Sequence, residues 1–365
     1  MVVTEEQLKI VEATEPMIAV IGPPGTGKTR VLTERIKHLL NKGVKPENIV
    51  AITFTNFAAN EMINRLPNCK GMFIGTMHSY AALLLRKNGI AIDIDKMVEE
   101  KSFDKLIKMA TNELYLRGQT LNMPYVQYLF VDEVQDLCDY EFEFISQIPC
   151  ENMFLGGDAD QCIYQFKGAK PSLFNDYCRK PSTKLYTLTK NFRCGQNIVQ
   201  FSQYFLKDMT DRIDIEVTGN LAERGWVTRT SFEEAVFNLY GEKNYGNWFI
   251  LTRTNNELEE AGKTLETYNI PFTSFKQGDF TNEEIEKFLR NDEVKLLTIH
   301  SAKGLEADNV IVIGCRNWSS EEKCIEYVAA TRARKRVFWC PTIVSTSRFR
   351  TARKTTQSAK VISWE

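Results

Sequence analysis

The chain has 365 residues, with 46 Lys plus Arg against 47 Asp plus Glu and a formal net charge of −1. That length exceeds one typical core, so two domains of roughly 150 to 200 residues are expected; near-neutrality excludes whole-molecule attraction of a polyanion, so a nucleic-acid partner would need a local basic groove. The nine cysteines (69, 138, 150, 162, 178, 194, 315, 324, 340) form no C-x-x-C pair. This argues against zinc or an iron–sulfur cluster and, with no basic-then-apolar leader and no apolar run of membrane-spanning length, leads to the expectation of a cytoplasmic chain without membrane contact.

In chain order, the first strand expected is the short apolar run Met17–Ile21. It runs into Gly22-Pro23-Pro24-Gly25-Thr26-Gly27-Lys28-Thr29, which matches G-x-x-x-x-G-K-[ST] at every position, and then into helical spacing over Arg30–Leu40. In that context the loop amides and helix N-terminus face phosphates, Lys28 reaches the β/γ oxygens and the Thr29 hydroxyl takes magnesium, so the chain is expected to hold a nucleoside triphosphate. Further strands are expected at Ile49–Phe54, Met72–Gly75, Tyr128–Val131 and Met153–Leu155. After turn-formers at residues 181 to 184 follow Leu185–Leu188, Trp248–Leu251, Val294–Ile299, Val310–Ile313 and Val337–Trp339. Strand–helix repetition on this scale means parallel sheets covered by helices, an α/β fold in two halves of about five strands each. Residues 85–119 carry charged helical spacing, notably Ser102–Leu116, and no strand candidate, as a small helical insertion would. Directly after Tyr128–Phe130 stands Val131-Asp132-Glu133-Val134-Gln135-Asp136; carboxylates at a strand's C-terminal end face the phosphate crevice, Asp132 to hold magnesium with Thr29 and Glu133 to orient or deprotonate water.

The phosphate loop, the Asp-Glu-Val-Gln-Asp run and Gly156-Gly157-Asp158-Ala159-Asp160-Gln161-Cys162-Ile163-Tyr164-Gln165-Phe166-Lys167-Gly168-Ala169 together resemble superfamily 1A helicases, the UvrD/Rep/PcrA group. The resemblance extends in order along nearly the whole chain. Thr53-Phe54-Thr55-Asn56 matches motif Ia, Gly75-Thr76-Met77-His78-Ser79 motif Ib and Asn191-Phe192-Arg193 motif IV. Residues Thr298 to Glu306 match motif V, and Tyr327-Val328-Ala329-Ala330-Thr331-Arg332-Ala333 motif VI. It implies two RecA-like domains, ATP and Mg2+ as cofactors, and 3′→5′ translocation on single-stranded DNA with unwinding at single/double-strand junctions, in repair or replication.

By the same resemblance, Lys28, Glu133, Gln161, Arg193 and Arg332 carry catalysis, Gln161 sensing the γ-phosphate and the two arginines reaching across an interdomain cleft whose closure switches hydrolysis on. Nucleotide contacts fall to Gln7, which reads adenine, to Gly22, Pro23, Pro24, Gly25, Thr26, Gly27, Lys28, Thr29 and Arg30, to Phe192 stacking where Tyr is usual, and to Glu306. Thr29 and Asp132 bind the metal. Phe54, Thr55, Asn56, His78, Tyr164, Phe166, Lys167, Thr298 and His300 form the DNA track. Phe57 stands where Lys is usual, Phe166 where Trp is usual and Lys167 where Arg is usual.

The expected division is 1–84 and 120–183 as domain 1A, 85–119 as a reduced 1B, 184–344 as domain 2A and 345–365 as a basic tail with Arg348, Arg350, Arg353, Lys354 and Lys360. Larger family members carry a 2B subdomain before motif V. Here helix Asn282–Arg290 is followed, after Asn291-Asp292-Glu293, by the strand at Val294, so no 2B fits and the duplex contact it makes is expected to fall to 1B, to the tail or to a protein partner. The chain is expected to be monomeric or weakly self-associating. The alternative to a helicase is a DNA-stimulated ATPase serving as switch or loading subunit for a nuclease, recombination or replication partner.

Overall fold

The computed structural model describes residues 3–341 apart from 67–68, 101, 241, 243, 276–281 and 316–318; the tail expected at 345–365 lies outside the described residues. The chain divides into two compact units. The first holds residues up to Pro23, Gly27–Leu188 and Asp211–Ile215; the second holds Pro24–Thr26, Thr189–Thr210 and the described residues from Glu216 on.

The first unit is built on six parallel strands: β1 Met17–Ile21, β2 Ile49–Thr53, β3 Phe73–Thr76, β4 Val126–Val131, β5 Cys150–Gly157 and β6 Lys184–Thr187. Their order is β3-β2-β4-β5-β1-β6. Successive side chains of a strand point to opposite faces, so a continuous apolar run buries both. In β1, Ala19 and Ile21 enter one core with Val50, Ile52, Tyr80, Leu129 and Phe144. Ile18 and Val20 enter the other with Val31, Leu32, Ile36, Phe130 and Phe154. The described residues of 85–119 add no strand, as expected: helices Met77–Lys87 and Asp104–Arg117 pack on the first of these cores through Leu84, Leu85, Leu106, Ile107, Ala110 and Leu114.

The expected division moves at three places: Pro24–Thr26, expected in domain 1A, group with the second unit, Asp211–Ile215, expected in domain 2A, group with the first, and the boundary at 183 shifts. The run at 185–188 is expected in the second half, but β6 pairs in parallel with β1 through Ile18↔Lys184 to Ile21↔Thr187, so the first unit extends to Leu188 rather than ending at 183. Turn-forming residues at 181–184 mark a connection between elements, and a connection need not be a domain boundary.

The second unit has a pair, β7 Lys190–Gly195 with β8 Thr218–Asn220, and a six-stranded sheet. Its strands are β9 Trp226–Arg229, β10 Trp248–Thr252, β11 Phe272–Phe275, β12 Val294–Thr298, β13 Ala307–Ile313 and β14 Ala333–Cys340, in the order β11-β12-β10-β13-β14-β9. All its pairings are parallel. The short strands β7, β8, β9 and β11 were not expected; β9 and β11 are sheet edges, and an edge strand lacks the double-sided apolar signal of a central one. Only Asn291–Glu293 separate helix Asn282–Arg290 from β12. Seven of the nine cysteines are buried, and among the described residues no helix is long and apolar enough to cross a membrane.

Candidate nucleotide and nucleic-acid site

The phosphate loop follows β1, Asp132 follows β4 and Asp158 follows β5, so three adjacent parallel strands deliver their candidate residues to one edge of the sheet. Gly25 and Gly27 have φ of 79° and 88°, a region L side chains rarely adopt. A Cβ on Gly27 would also come within 3.0 Å of Gln7 Nε2, so the Gln7 amide lies against the loop. Gln7 is buried and joined to Thr4 in a capping box. Its helix, Glu5–Val11, ends on Arg35, whose Nη1 donates to Ile10 O, Val11 O and Ala13 O at 2.8–3.1 Å. The loop's middle belongs to the second unit: Asn191 Nδ2 donates to Pro24 O at 2.7 Å and Phe192 N to Gly25 O at 2.8 Å. Gly22 and Pro23 are buried, while Arg30, in the first turn of helix Lys28–Asn41, is half-buried.

Lys28 is buried, with Nζ 3.2 Å from Glu133 and 3.9 Å from Asp132. Burial works against its ammonium, but Glu133, Asp132 and Asp158 together hold its pKa above the usual lysine value. Thr29 Oγ1 donates to Asp132 Oδ2 at 2.9 Å. Burial pushes the Asp132 carboxyl up to about 6 against the pull of Lys28, and burial with Asp160 alongside pushes Asp158 up to about 7. Glu133 has φ of 57°, a left-handed conformation uncommon outside glycine; its carboxylate accepts from Gln135 Nε2 and pairs with Lys28. Gln161 is buried and donates from Nε2 to Asp158 Oδ2 at 2.8 Å.

In the second unit Arg193 pairs with Glu306, which also pairs with Arg334. Arg193 Nη1 reaches Thr331 O at 3.4 Å. Arg332 is 1% exposed and donates to Val328 O at 3.0 Å and Leu305 O at 3.4 Å. Phe192 is half-buried in β7 with Lys190 Nζ 5.7 Å from its ring centroid.

The DNA-track residues divide between the units. Seven lie in the first, and four of these, Phe54, His78, Tyr164 and Lys167, line a cavity of about 240 Å³ together with Asp132, Cys138 and Glu141. Phe54 stacks on Tyr164 with centroids 5.3 Å apart. Tyr164 is buried, whereas Phe166 is 64% exposed. Lys167 Nζ stands 5.0 Å from the Tyr164 ring centroid. Thr55 caps helix Asn56–Arg65 by accepting from Ala58 N, leaving Asn56 exposed in its first turn. His78 sits in the first turn of helix Met77–Lys87, edge-on to Phe103, and burial lowers its pKa. Thr298 and His300 belong to the second unit at the end of β12, where Thr298 accepts from Ser301 N.

Residues 3–122 and 102–181 match the UvrD/REP helicase N-terminal domain, and residues 279–342 match the UvrD-like helicase C-terminal domain. The chain belongs to the UvrD/REP helicase family. Among its relatives, an ATP-dependent DNA helicase PcrA of Leuconostoc citreum is 24% identical over 366 residues, covering 73% of this chain and 49% of that protein. A probable DNA helicase II homolog of Mycoplasma capricolum is 26% identical over 368 residues, covering 73% and 51%. An ATP-dependent DNA helicase PcrA of Staphylococcus epidermidis is 26% identical over 402 residues, covering 80% and 55%. The chain spans about half the length of the curated relatives it matches. For a UvrD/REP family chain the phosphate loop and acidic pair are plain in sequence, but the roles of Asn191, which holds the loop, Gln135, which holds Glu133, and Arg212, which holds Asp160, are not. Gln135 and Asn191 stand inside motifs, but sequence shows no partner for either; Arg212 gives no signal, because its partner Asp160 is 52 residues away.

Proposed function

We propose that this chain is an ATP-hydrolysing motor that moves 3′→5′ along single-stranded DNA and opens duplex at junctions. The observation that carries this reading is the double position of Asp132, which accepts from Thr29 in the phosphate site and lines the cavity holding Phe54, His78 and Tyr164. Strand order supports it: β3 and β2 end in nucleic-acid candidates, β1 in the phosphate loop, β5 in Asp158 and Gln161 followed by Tyr164 and Phe166, and β4, with Asp132 and Glu133, lies between β2 and β5.

In this reading the loop amides and Lys28 bind the phosphates, Gln7 meets the adenine, and Glu133 orients water and takes its proton as the oxygen bonds to the terminal phosphorus, while the bond from that phosphorus to the β–γ bridging oxygen breaks and the diphosphate leaves with the electron pair. Thr29 and Asp132 fit a magnesium ion, since two oxygen donors converge there and a Cβ on Gly156 would come within 3.3 Å of Asp132 Oδ1; the ion would neutralise phosphate charge. We assign stabilisation of charge on the transferred phosphoryl group to Arg193 and Arg332, sensing of it to Gln161, and contacts to the nucleotide to Phe192 and Glu306. Thr298 and His300 continue the DNA track.

A second reading, a DNA-stimulated ATPase that loads or switches a partner, is favoured by the three-residue link at 291–293. Strand displacement on 3′-tailed and 5′-tailed duplexes separates the two. Displacement of the 3′-tailed substrate alone is expected; stimulated ATPase without displacement would select the loader, and ATPase indifferent to single strands would defeat both.

A further inference from the structure

After Leu188 the chain runs in the second unit, returns to the first for Asp211–Ile215, and leaves again. These five residues are anchored at several points. Ile213 and Ile215 pack on the first core. Asp211 O accepts from Asn175 Nδ2 at 2.9 Å, and the Asp211 carboxylate pairs with Arg179 at 3.0 Å.

Between those anchors Arg212 forks onto Asp160, with Nη2 donating to Oδ2 at 2.7 Å and Nε lying 3.2 Å from both carboxylate oxygens. The side chains are only 11% and 10% exposed. From Asp160 the bonding continues toward the phosphate site. Asp160 N donates to Asp158 Oδ1 at 3.2 Å, and Gln161 Nε2 to Asp158 Oδ2 at 2.8 Å. Asp158 N donates to Gln135 Oε1 at 2.9 Å, and Gln135 Nε2 to the Glu133 carboxylate. Each group in the series is fixed by the one before it. A shielded ion pair is weak support for stability, since an apolar pair often serves as well; what a two-pronged arginine adds is direction.

We propose that Arg212 is a positioning residue for ATP hydrolysis, fixing Asp160 so that the 158–161 turn presents Gln161 and, through Asp158 and Gln135, aims the carboxylate of Glu133. The inference rests on the hydrolytic reading above, and it adds a residue from the five-residue return segment to the machinery of the first unit.

The test is steady-state ATPase of the full chain, with and without a single-stranded oligothymidylate, beside titration with a fluorescent ATP analogue and thermal unfolding. The variants are Arg212→Met, Arg212→Lys, Asp160→Asn and the Arg212→Met/Asp160→Asn pair. Arg212→Met is expected to lower kcat about 10- to 100-fold, the scale of a misplaced catalytic group, while analogue affinity stays within about 3-fold. Arg212→Lys should recover part of the loss, and the double variant should be no slower than Arg212→Met, because Arg212→Met already removes the contact to Asp160, together with the pair from Nη1 to the exposed Asp214. A folded Arg212→Met with wild-type kcat overturns the inference alone, whatever its Tm; a wild type without ATPase overturns the hydrolytic reading and the inference with it. Where Arg212→Met fails to fold, wild-type kcat in both Arg212→Lys and Asp160→Asn overturns the inference in its place.

Discussion

Glu133 and Glu326 are two carboxylates held for different reasons. Glu133 keeps a left-handed backbone that a glycine would adopt more cheaply, and such strain persists where surrounding contacts over-determine it, here Lys28 and Gln135. Glu133→Gln retains the shape and removes the proposed base. Turnover should fall about 10²- to 10⁴-fold, while a fluorescent ATP analogue still binds; wild-type turnover would remove Glu133 from the reaction. Glu326 has no such use in the proposed chemistry. It is 3% exposed, its Oε2 finds no hydrogen-bond partner among the described residues, and burial pushes its carboxyl up to about 7. Its folded pKa lies above the ordinary 4.5, so between these values the folded chain binds more protons than the unfolded one, and stability drains away as pH rises through that window. Glu326→Gln should therefore raise Tm at pH 8 and change it little at pH 4.5; equal gains at both would refute the titration. The sequence displayed Glu133 because it abuts Asp132 after an apolar run. Glu326 lay unmarked within a helix whose neighbours are apolar.

Elements show the same division between what proximity reveals and what distance hides. The central strands β1, β2, β10 and β13 were legible because burial on both faces demands uninterrupted apolar residues. Edge strands β9 and β11 carry mixed composition and were missed, and β6 was seen but given to the wrong half, since strand pairing is not written in the strand itself. Helix Glu5–Val11 illustrates a dependence no local pattern carries. Its C-terminal carbonyls, which helix geometry leaves without partners, converge on one guanidinium of Arg35 from the helix after the phosphate loop. Arg35→Met removes that donor and leaves three carbonyls buried or half-buried, so the helix bearing Gln7 should loosen at its far end. The expected result is a stability loss of about 2–4 kcal/mol in urea denaturation. With it should come a rise in KM for ATP larger than that for a triphosphate lacking an adenine base, and equal rises would detach Gln7 from base recognition.

At the scale of the whole molecule, the near-balance of charge constrains how a strand can be held. With a formal net charge of −1, the chain exerts no general pull on phosphates. In the proposed reading affinity comes from local contacts, and those available around the cavity are mainly aromatic: Phe54 on Tyr164, and Phe166 exposed beside it with its centroid 6.2 Å from that of Tyr164. Lys167 lies over both Tyr164 and Phe166 and supplies a cation to the same platform. Stacking is indifferent to base identity and to salt, whereas a phosphate contact releases counterions and weakens as salt rises. The two contributions are therefore separable in one titration series. Phe166→Ala should weaken single-strand binding about 10- to 100-fold at every salt concentration, leaving the slope of log affinity against log salt unchanged. Lys167→Ala should weaken binding less at high salt than at low and reduce that slope by about 0.7. A slope altered by Phe166→Ala, or affinity untouched by it, would take the ring off the strand and leave the grip to charges elsewhere.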